Sequence, residues 1–118
     1  MNHIMLIEDD RTIQNLLKII LELEGFSVTV CNSTQSAEIK KQIISIQPDI
    51  LILDVNLHEI NGIQLLLEIR ASREVNHIKV IMTSGMELKE ECLSAGANAF
   101  LLKPFMPDDL IGLLKSAG

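Results

Sequence analysis

Four short apolar runs in this chain each terminate in a polar residue. Ile4-Met5-Leu6-Ile7 leads into Glu8-Asp9-Asp10, and Ile50-Leu51-Ile52-Leu53 into Asp54. Val80-Ile81-Met82 ends at Thr83, and Ala99-Phe100-Leu101-Leu102 at Lys103-Pro104. Apolar runs this short, separated by stretches of helical periodicity, read as buried parallel strands. In an open parallel sheet the residues just past the carboxyl ends of the strands share one crevice, where ligands bind. Acids, a hydroxyl and an ammonium therefore converge on one place.

The intervening segments fit that reading. Ile13, Leu16, Leu17, Ile20 and Leu21 repeat at helical spacing, and Gly25 stands where a helix end calls for a left-handed residue. Val28-Thr29-Val30 is a short strand with nothing reactive at its end, as expected of a sheet edge. Ser33 or Thr34 is expected to cap a second helix through Ile39, Ile43 and Ile46 that stops before Pro48. Gly62 leads into a third helix with Ile63, Leu66 and Leu67 directed inward. A fourth helix over roughly 87–95 has few apolar anchors (Leu88, Cys92, Leu93) and a Gly96 cap, so it is the element most ready to move. Pro107-Asp108-Asp109 is good chemistry for the start of a fifth. Five strands alternating with five helices predict a three-layer α/β domain spanning residues 1–118. The chain ends with its last helix, leaving no room within it for an output domain.

Composition narrows the function classes. A formal net charge of -6 and 3% aromatic residues argue against nucleic-acid binding, which needs clustered cations and stacking rings. Cys31 and Cys92 are too far apart in sequence for a zinc motif and read as reduced thiols. No apolar stretch reaches the length of a membrane span, and Asn2-His3 followed at once by strand and acid is no signal peptide. A soluble, intracellular protein is expected.

Glu8, Asp9 and Asp54 in one crevice repel one another unless a pKa rises or cations arrive. Lys103 neutralises one charge, and Mg²⁺ suits a site of one or two carboxylates completed by waters and phosphate oxygens. An Asp beside that ion is a competent nucleophile toward phosphorus. Mg²⁺, Lys103 and the Thr83 hydroxyl then have one equatorial oxygen each to neutralise. Singly the residues have plainer roles: Asp54 or Asp10 as a helix cap, Thr83 as a strand end, Lys103 as a solvated charge.

Together, IMLIEDD (4–10), PDILILDVNL (48–57) with Gly62, VIMTSG (80–85) and FLLKPF (100–105) resemble the receiver domain of two-component response regulators across essentially the full length. The resemblance implies a flavodoxin-like fold with strand order 2-1-3-4-5. It implies that Asp54 is the phosphoacceptor, self-phosphorylating and self-dephosphorylating without turnover of external substrates. Asp9 and Asp54 become direct ligands of Mg²⁺ (or Mn²⁺), Glu8 the other half of the acidic pair, and the Asn56 main-chain carbonyl a further ligand. Thr83 becomes the switch hydroxyl, Phe100 the switch aromatic, and Lys103 the phosphate-contacting lysine, aimed by a cis peptide to Pro104. Phosphorylation would remodel the face built from the fourth helix, fifth strand and fifth helix. Implied partners are a histidine kinase or phosphotransfer protein, an unidentified downstream protein or output domain, and a second copy in a phosphorylation-dependent homodimer. The implied location is the cytoplasm, with neither nucleic acid nor membrane bound by this domain.

Three departures from the family pattern stand out. His58 occupies a position that is commonly Pro, the switch aromatic is Phe rather than Tyr, and Glu8 replaces Asp. Asn56 and Gly85 flank the expected path of the attacking water, and a small Gly85 predicts a short-lived phosphorylated form. Alternatives are a haloacid-dehalogenase-like phosphatase, which wants an acid where Asn56 stands, and a flavodoxin-like electron carrier, which wants a phosphate-cradling loop where Glu8-Asp9-Asp10 stand. A degenerate receiver acting as a phosphorylation-independent docking module would lack part of the acceptor set, and none of it is missing.

Overall fold

Alternation along the strands organises the core. In the computed structural model, which describes residues 2–117, the strands are β1 (His3–Ile7), β2 (Ser27–Cys31), β3 (Ile50–Asp54), β4 (Lys79–Ser84) and β5 (Ala99–Leu102). They form one parallel sheet in the order β2-β1-β3-β4-β5. Successive side chains of a strand point to opposite faces. Ile4, Leu6, Ile50, Ile52 and Ile81 accordingly pack on one side with Leu17, Leu21, Leu110 and Leu114. Met5, Ile7, Leu51, Leu53, Val80 and Met82 pack on the other with Ile39, Ile43, Leu65, Leu66 and Ile69. The first set belongs to helices α1 (Arg11–Leu23) and α5 (Pro107–Ala117), the second to α2 (Ser36–Ile46) and α3 (Gly62–Ala71). Cys92 of α4 (Lys89–Ser94) joins the second cluster. Every residue of β3 is buried, which is why that strand reads as an unbroken apolar run rather than an alternating one.

The helix ends follow their local chemistry. Asp10 caps α1, its Oδ1 accepting from the Ile13 amide at 3.1 Å. Gly25 takes φ +94° after α1, and Gly96 takes φ +110° after α4. Gln47 adopts φ 52° at the end of α2, just before Pro48. Asn61 caps α3 by accepting from the amides of Ile63 and Gln64. Pro107 opens α5 with Asp108 and Asp109 in its first turn.

Four local expectations are corrected. Neither Ser33 nor Thr34 caps α2: Gln35 stands at the cap without a side-chain bond, and the Ser33 hydroxyl accepts from the Gln35 amide at 3.2 Å instead. The serine is spent on a turn one step before the helix. Leu67 is exposed, whereas Leu65 and Ile69 are buried with Leu66, so the inward stripe of α3 is rotated from the expected one. Leu16 of α1 is likewise exposed, and Gln14 takes a buried place on that helix. Helix α4 is only six residues long, shorter than its sequence suggested, since Leu88 and Ala95 fall at its caps.

Candidate functional site

The carboxyl ends of β1, β3, β4 and β5 deliver the site. Glu8 and Asp9 follow β1 directly, and Asp54 is the last residue of β3. Thr83 is the register partner of Asp54 on β4, and the Val55 amide donates to its carbonyl at 2.9 Å. Lys103 follows β5, its amide donating to the Ser84 carbonyl at 2.7 Å, and the Lys103-Pro104 peptide is cis. Sequence neighbours on four strands thereby become spatial neighbours at one edge.

Lys103 joins the acids. Its Nζ donates to Glu8 Oε1 at 2.6 Å and to Asp54 Oδ2 at 3.0 Å. The Glu8 side chain is 4% exposed and that of Asp54 7%. Burial raises the pKa of Glu8 most, the Asp54 charge adds to it, and the Lys103 contact opposes both. Burial would depress Lys103, but the hydrogen bonds and charges of the two carboxylates outweigh it and raise its pKa. The amine is thus firmly protonated. One positive charge serves two buried acids, and Asp9 adds a third anion.

Carboxylate oxygens of Glu8, Asp9 and Asp54 all lie within 4.8 Å of one another. This donor set fits a hard divalent cation: it is all oxygen, it carries more negative charge than Lys103 balances, and Asp9 stays open to solvent for the waters that Mg²⁺ retains. The residues present can therefore hold a metal.

The loop after Asp54 is tightly folded. The Asn56 amide faces Asp54 Oδ1 at 3.4 Å, Asn56 bridges to Asn61, and the Gly62 amide donates to the Val55 carbonyl at 2.7 Å. His58 stands on this loop with Nδ1 3.7 Å from Asp9 Oδ2. Phe100 lies beside Met82 in the β4–β5 register and is partly buried against the core on the α3–α4 side. Gly85 is exposed at the end of β4, and a Cβ there would meet nothing within 4 Å. Asp10 points away into its capping role. Cys31 and Cys92 are free and buried, and burial pushes both thiols up in pKa, so neither is a poised nucleophile.

Two contacts were not legible in the sequence. The Gln14 side chain donates to the Glu8 carbonyl, fixing the turn that presents the acidic pair. Arg70 donates to the carbonyls of Gly96 (2.9 Å), Asn76 (3.0 Å) and Ile78 (2.6 Å) and to Asn98 Oδ1 (3.0 Å). Apart from the Arg70–Asn98 pair these are side-chain to backbone bonds, for which a single sequence carries no periodic signal.

An acidic triad bridged by a lysine at the strand ends of a 2-1-3-4-5 sheet defines a class, and comparison places the chain within it. Residues 4–115 match the response regulator receiver domain, and the chain belongs to that family. The transcriptional regulatory protein CpxR of Escherichia coli (strain K12) is 36% identical over 119 residues, covering 98% of this chain and 49% of that protein. The transcriptional regulatory protein KdpE of Staphylococcus aureus is 34% identical over 107 residues, 91% of this chain and 46% of that protein. The chain spans about half the length of these curated relatives. Among solved structures, a putative response regulator from Chloroflexus aurantiacus superposes with a TM-score of 0.89 at 29% identity, covering 98% of this chain and 96% of that one. A CheY-like receiver domain from Methanospirillum hungatei gives 0.86 at 29% identity, with 98% and 92% covered. Among the described residues no helix is long and apolar enough to cross a membrane.

Proposed function

We propose that residues 1–118 form one phosphorylation-competent receiver domain, cytoplasmic, with Asp54 as the acceptor and a histidine kinase or phosphotransfer protein as donor. The observation that carries this reading is Lys103 Nζ bonded to both Glu8 and Asp54, beside a third carboxylate. A degenerate docking module has no need of that costly concentration of buried charge.

In the proposed reaction an Asp54 carboxylate oxygen forms a bond to phosphorus. The bond from phosphorus to the donor's imidazole nitrogen breaks, its electron pair leaving with the imidazole. Asp9, Asp54 and the Asn56 carbonyl are the proposed metal ligands, with Glu8 completing the acidic pair. Bound Mg²⁺ supplies neutralisation of the phosphoryl oxygens. Lys103 holds a second oxygen by a charge-assisted hydrogen bond, and the Thr83 hydroxyl donates to a third. Catalysis is thus positioning and charge neutralisation, which is what this transfer demands.

The phosphoryl group adds roughly 1.5 to 2 negative charges beside Thr83 and Lys103. In this reading Thr83 moves toward it and vacates space next to β5, and Phe100 moves to fill that space. Helix α4, with six residues and one buried side chain, offers little resistance. The α4-β5-α5 face then shifts its population toward a form with a different partner surface.

The test is incubation with acetyl phosphate and Mg²⁺ followed by intact-mass analysis. One added phosphoryl group is expected, lost in Asp54→Asn and on chelation. Label that persists in Asp54→Asn, or that forms equally without metal, would refute the reading.

A further inference from the structure

His58 is the fourth residue after Asp54, on the loop that flanks the acidic pair. Its ring is 77% exposed, so no packing fixes it, yet its Nδ1 is only 3.7 Å from Asp9 Oδ2. The other two histidines lie at the opposite end of the sheet. His3 is bonded to Ser27 and Thr29, and His77 borders a separate cavity beside Asp49. His58 is therefore the imidazole that borders the carboxylate cluster.

Two ligand atoms each about 2.1 Å from a shared ion and 3.7 Å apart subtend an angle of about 120° at that ion. Closing their separation to about 3.0 Å gives the right angle of an octahedral site. The group of ligand atoms within 4.8 Å of one another comprises Glu8, Asp9 and Asp54 and not His58, so coordination requires the exposed ring to swing toward the cluster. A cavity of about 140 Å³ opens between this loop, the acidic pair and the end of β2, lined by Glu8, Asp9 and His58 among others. Asp54 does not line it, so the room it gives for waters lies on the Asp9 and His58 side of the cluster.

Imidazole changes what such a site selects. Mg²⁺ prefers oxygen ligands and releases its waters reluctantly. Divalent ions later in the first transition row gain from an imidazole nitrogen. Exchanging a water for His58 therefore does little for Mg²⁺ and much for Co²⁺, Ni²⁺ or Zn²⁺.

We propose that His58, through Nδ1, is an additional ligand of the metal held at Asp9 and Asp54, and that it shifts the site's preference from Mg²⁺ toward borderline transition ions. The inference rests on the metal-site reading above. It makes this receiver responsive to transition-metal supply: such an ion competes for the centre on which phosphorylation depends.

Co²⁺ is the probe, because its visible absorption reports nitrogen ligation and its paramagnetism broadens the ring signals of a ligating histidine. Binding of Co²⁺ alone and of Mg²⁺ alone is measured by calorimetry at about pH 8 for the unmodified chain, His58→Gln, His77→Gln and Asp9→Asn. In His58→Gln the ratio of Co²⁺ to Mg²⁺ affinity is expected to fall at least about tenfold, with loss of the nitrogen-ligated absorption. His77→Gln is expected to leave the ratio where it was. An unchanged ratio in His58→Gln, with Mg²⁺ binding still lost in Asp9→Asn, overturns this inference alone. It would mean that His58 only forms a solvated ion pair with Asp9. Mg²⁺ binding indifferent to Asp9→Asn overturns the underlying metal site and this inference with it.

Discussion

Gly62 sits directly against the main chain of Asp54. A Cβ added at Gly62 would lie 2.3 Å from the Asp54 carbonyl oxygen and 2.8 Å from the Val55 Cα. The obstacle is backbone, not a flexible side chain, so it cannot yield by rotation. The first turn of α3 is thereby pressed onto the end of β3, and the Asp54–Gly62 loop closes through the 2.7 Å bond from the Gly62 amide to the Val55 carbonyl. Gly62→Ala is expected to cost about 2 kcal/mol or more, the scale of overpacking a rigid site. It is also expected to lower acetyl-phosphate labelling, because the acceptor strand itself must move. Urea denaturation and labelling rate check the two parts. Unchanged stability would show that the helix start relaxes away without strain.

The buried acid at Glu8 gives a pH dependence with a definite sign. Its folded pKa is raised from 4.5, chiefly by burial. Below 4.5 the group is protonated in both states and costs nothing. As pH rises through the interval up to the folded pKa, the folded protein binds more protons than the unfolded one, so stability falls. Lys103 acts elsewhere: its raised pKa leaves its contribution intact below 10.5 and loses it only above. Metal-free protein should therefore show a falling limb of stability above pH 4.5 that Glu8→Gln lacks. Parallel profiles for the two proteins, measured by denaturant midpoint against pH, would contradict this.

The sheet and the site were legible for one physical reason. The inner strands, buried on both faces, write themselves as short apolar runs, and the crevice residues sit at the ends of those runs. Ala99–Leu102, expected to be buried as well, is an edge strand that is only partly buried, with Leu102 exposed. Ile4–Ile7, Ile50–Leu53, Val80–Met82 and Ala99–Leu102 all fall within observed strands. The left-handed turns at Gly25 and Gly96 were equally readable, because few other residues adopt positive φ. Helix faces were harder. Leu16 and Leu67 are exposed though their spacing suggested core, since a helix that is apolar on more than one side does not reveal which side meets the sheet. Leu16 instead borders an apolar groove with Phe105 and Pro107. The Ser33 and Thr34 caps failed because a hydroxyl near a helix start is also good turn chemistry. Arg70 was silent, because three of its four partners are main-chain carbonyls that any residue would offer.

Arg70 warrants its own test. Its guanidinium ties the end of α3 to the loop before β4 and to the turn between α4 and β5. Asn98 Oδ1, one of its acceptors, also accepts from the Val80 amide at 2.8 Å. Arg70→Lys retains the charge but not the planar fork, so it satisfies fewer of these carbonyls. A loss of about 2 kcal/mol is expected, the scale of charge-assisted hydrogen bonds left unmade. Amide exchange should accelerate at Ala97 and Asn98 more than in β1. Uniform acceleration across the sheet would show instead that Arg70 contributes only to global stability.

Gly85 carries the prediction about time. It lies two residues beyond Thr83, exposed, with open space where a Cβ would go. The amide of Met86 donates to the Ser84 hydroxyl at 3.0 Å, which holds the turn without help from the glycine. A larger residue at 85 therefore fits without disturbing the fold, its Cβ projecting into open space. Hydrolysis of an aspartyl phosphate requires a water in line with the phosphorus–oxygen bond, so what stands in that approach sets the lifetime. Gly85→Thr is expected to leave the denaturant midpoint nearly unchanged and to lengthen the phosphorylated state severalfold. Decay of the phosphorylated protein, followed by intact mass after removal of acetyl phosphate, measures it. A shortened lifetime at unchanged stability would show that the water approaches from another side, with Asn56 as the next residue to vary.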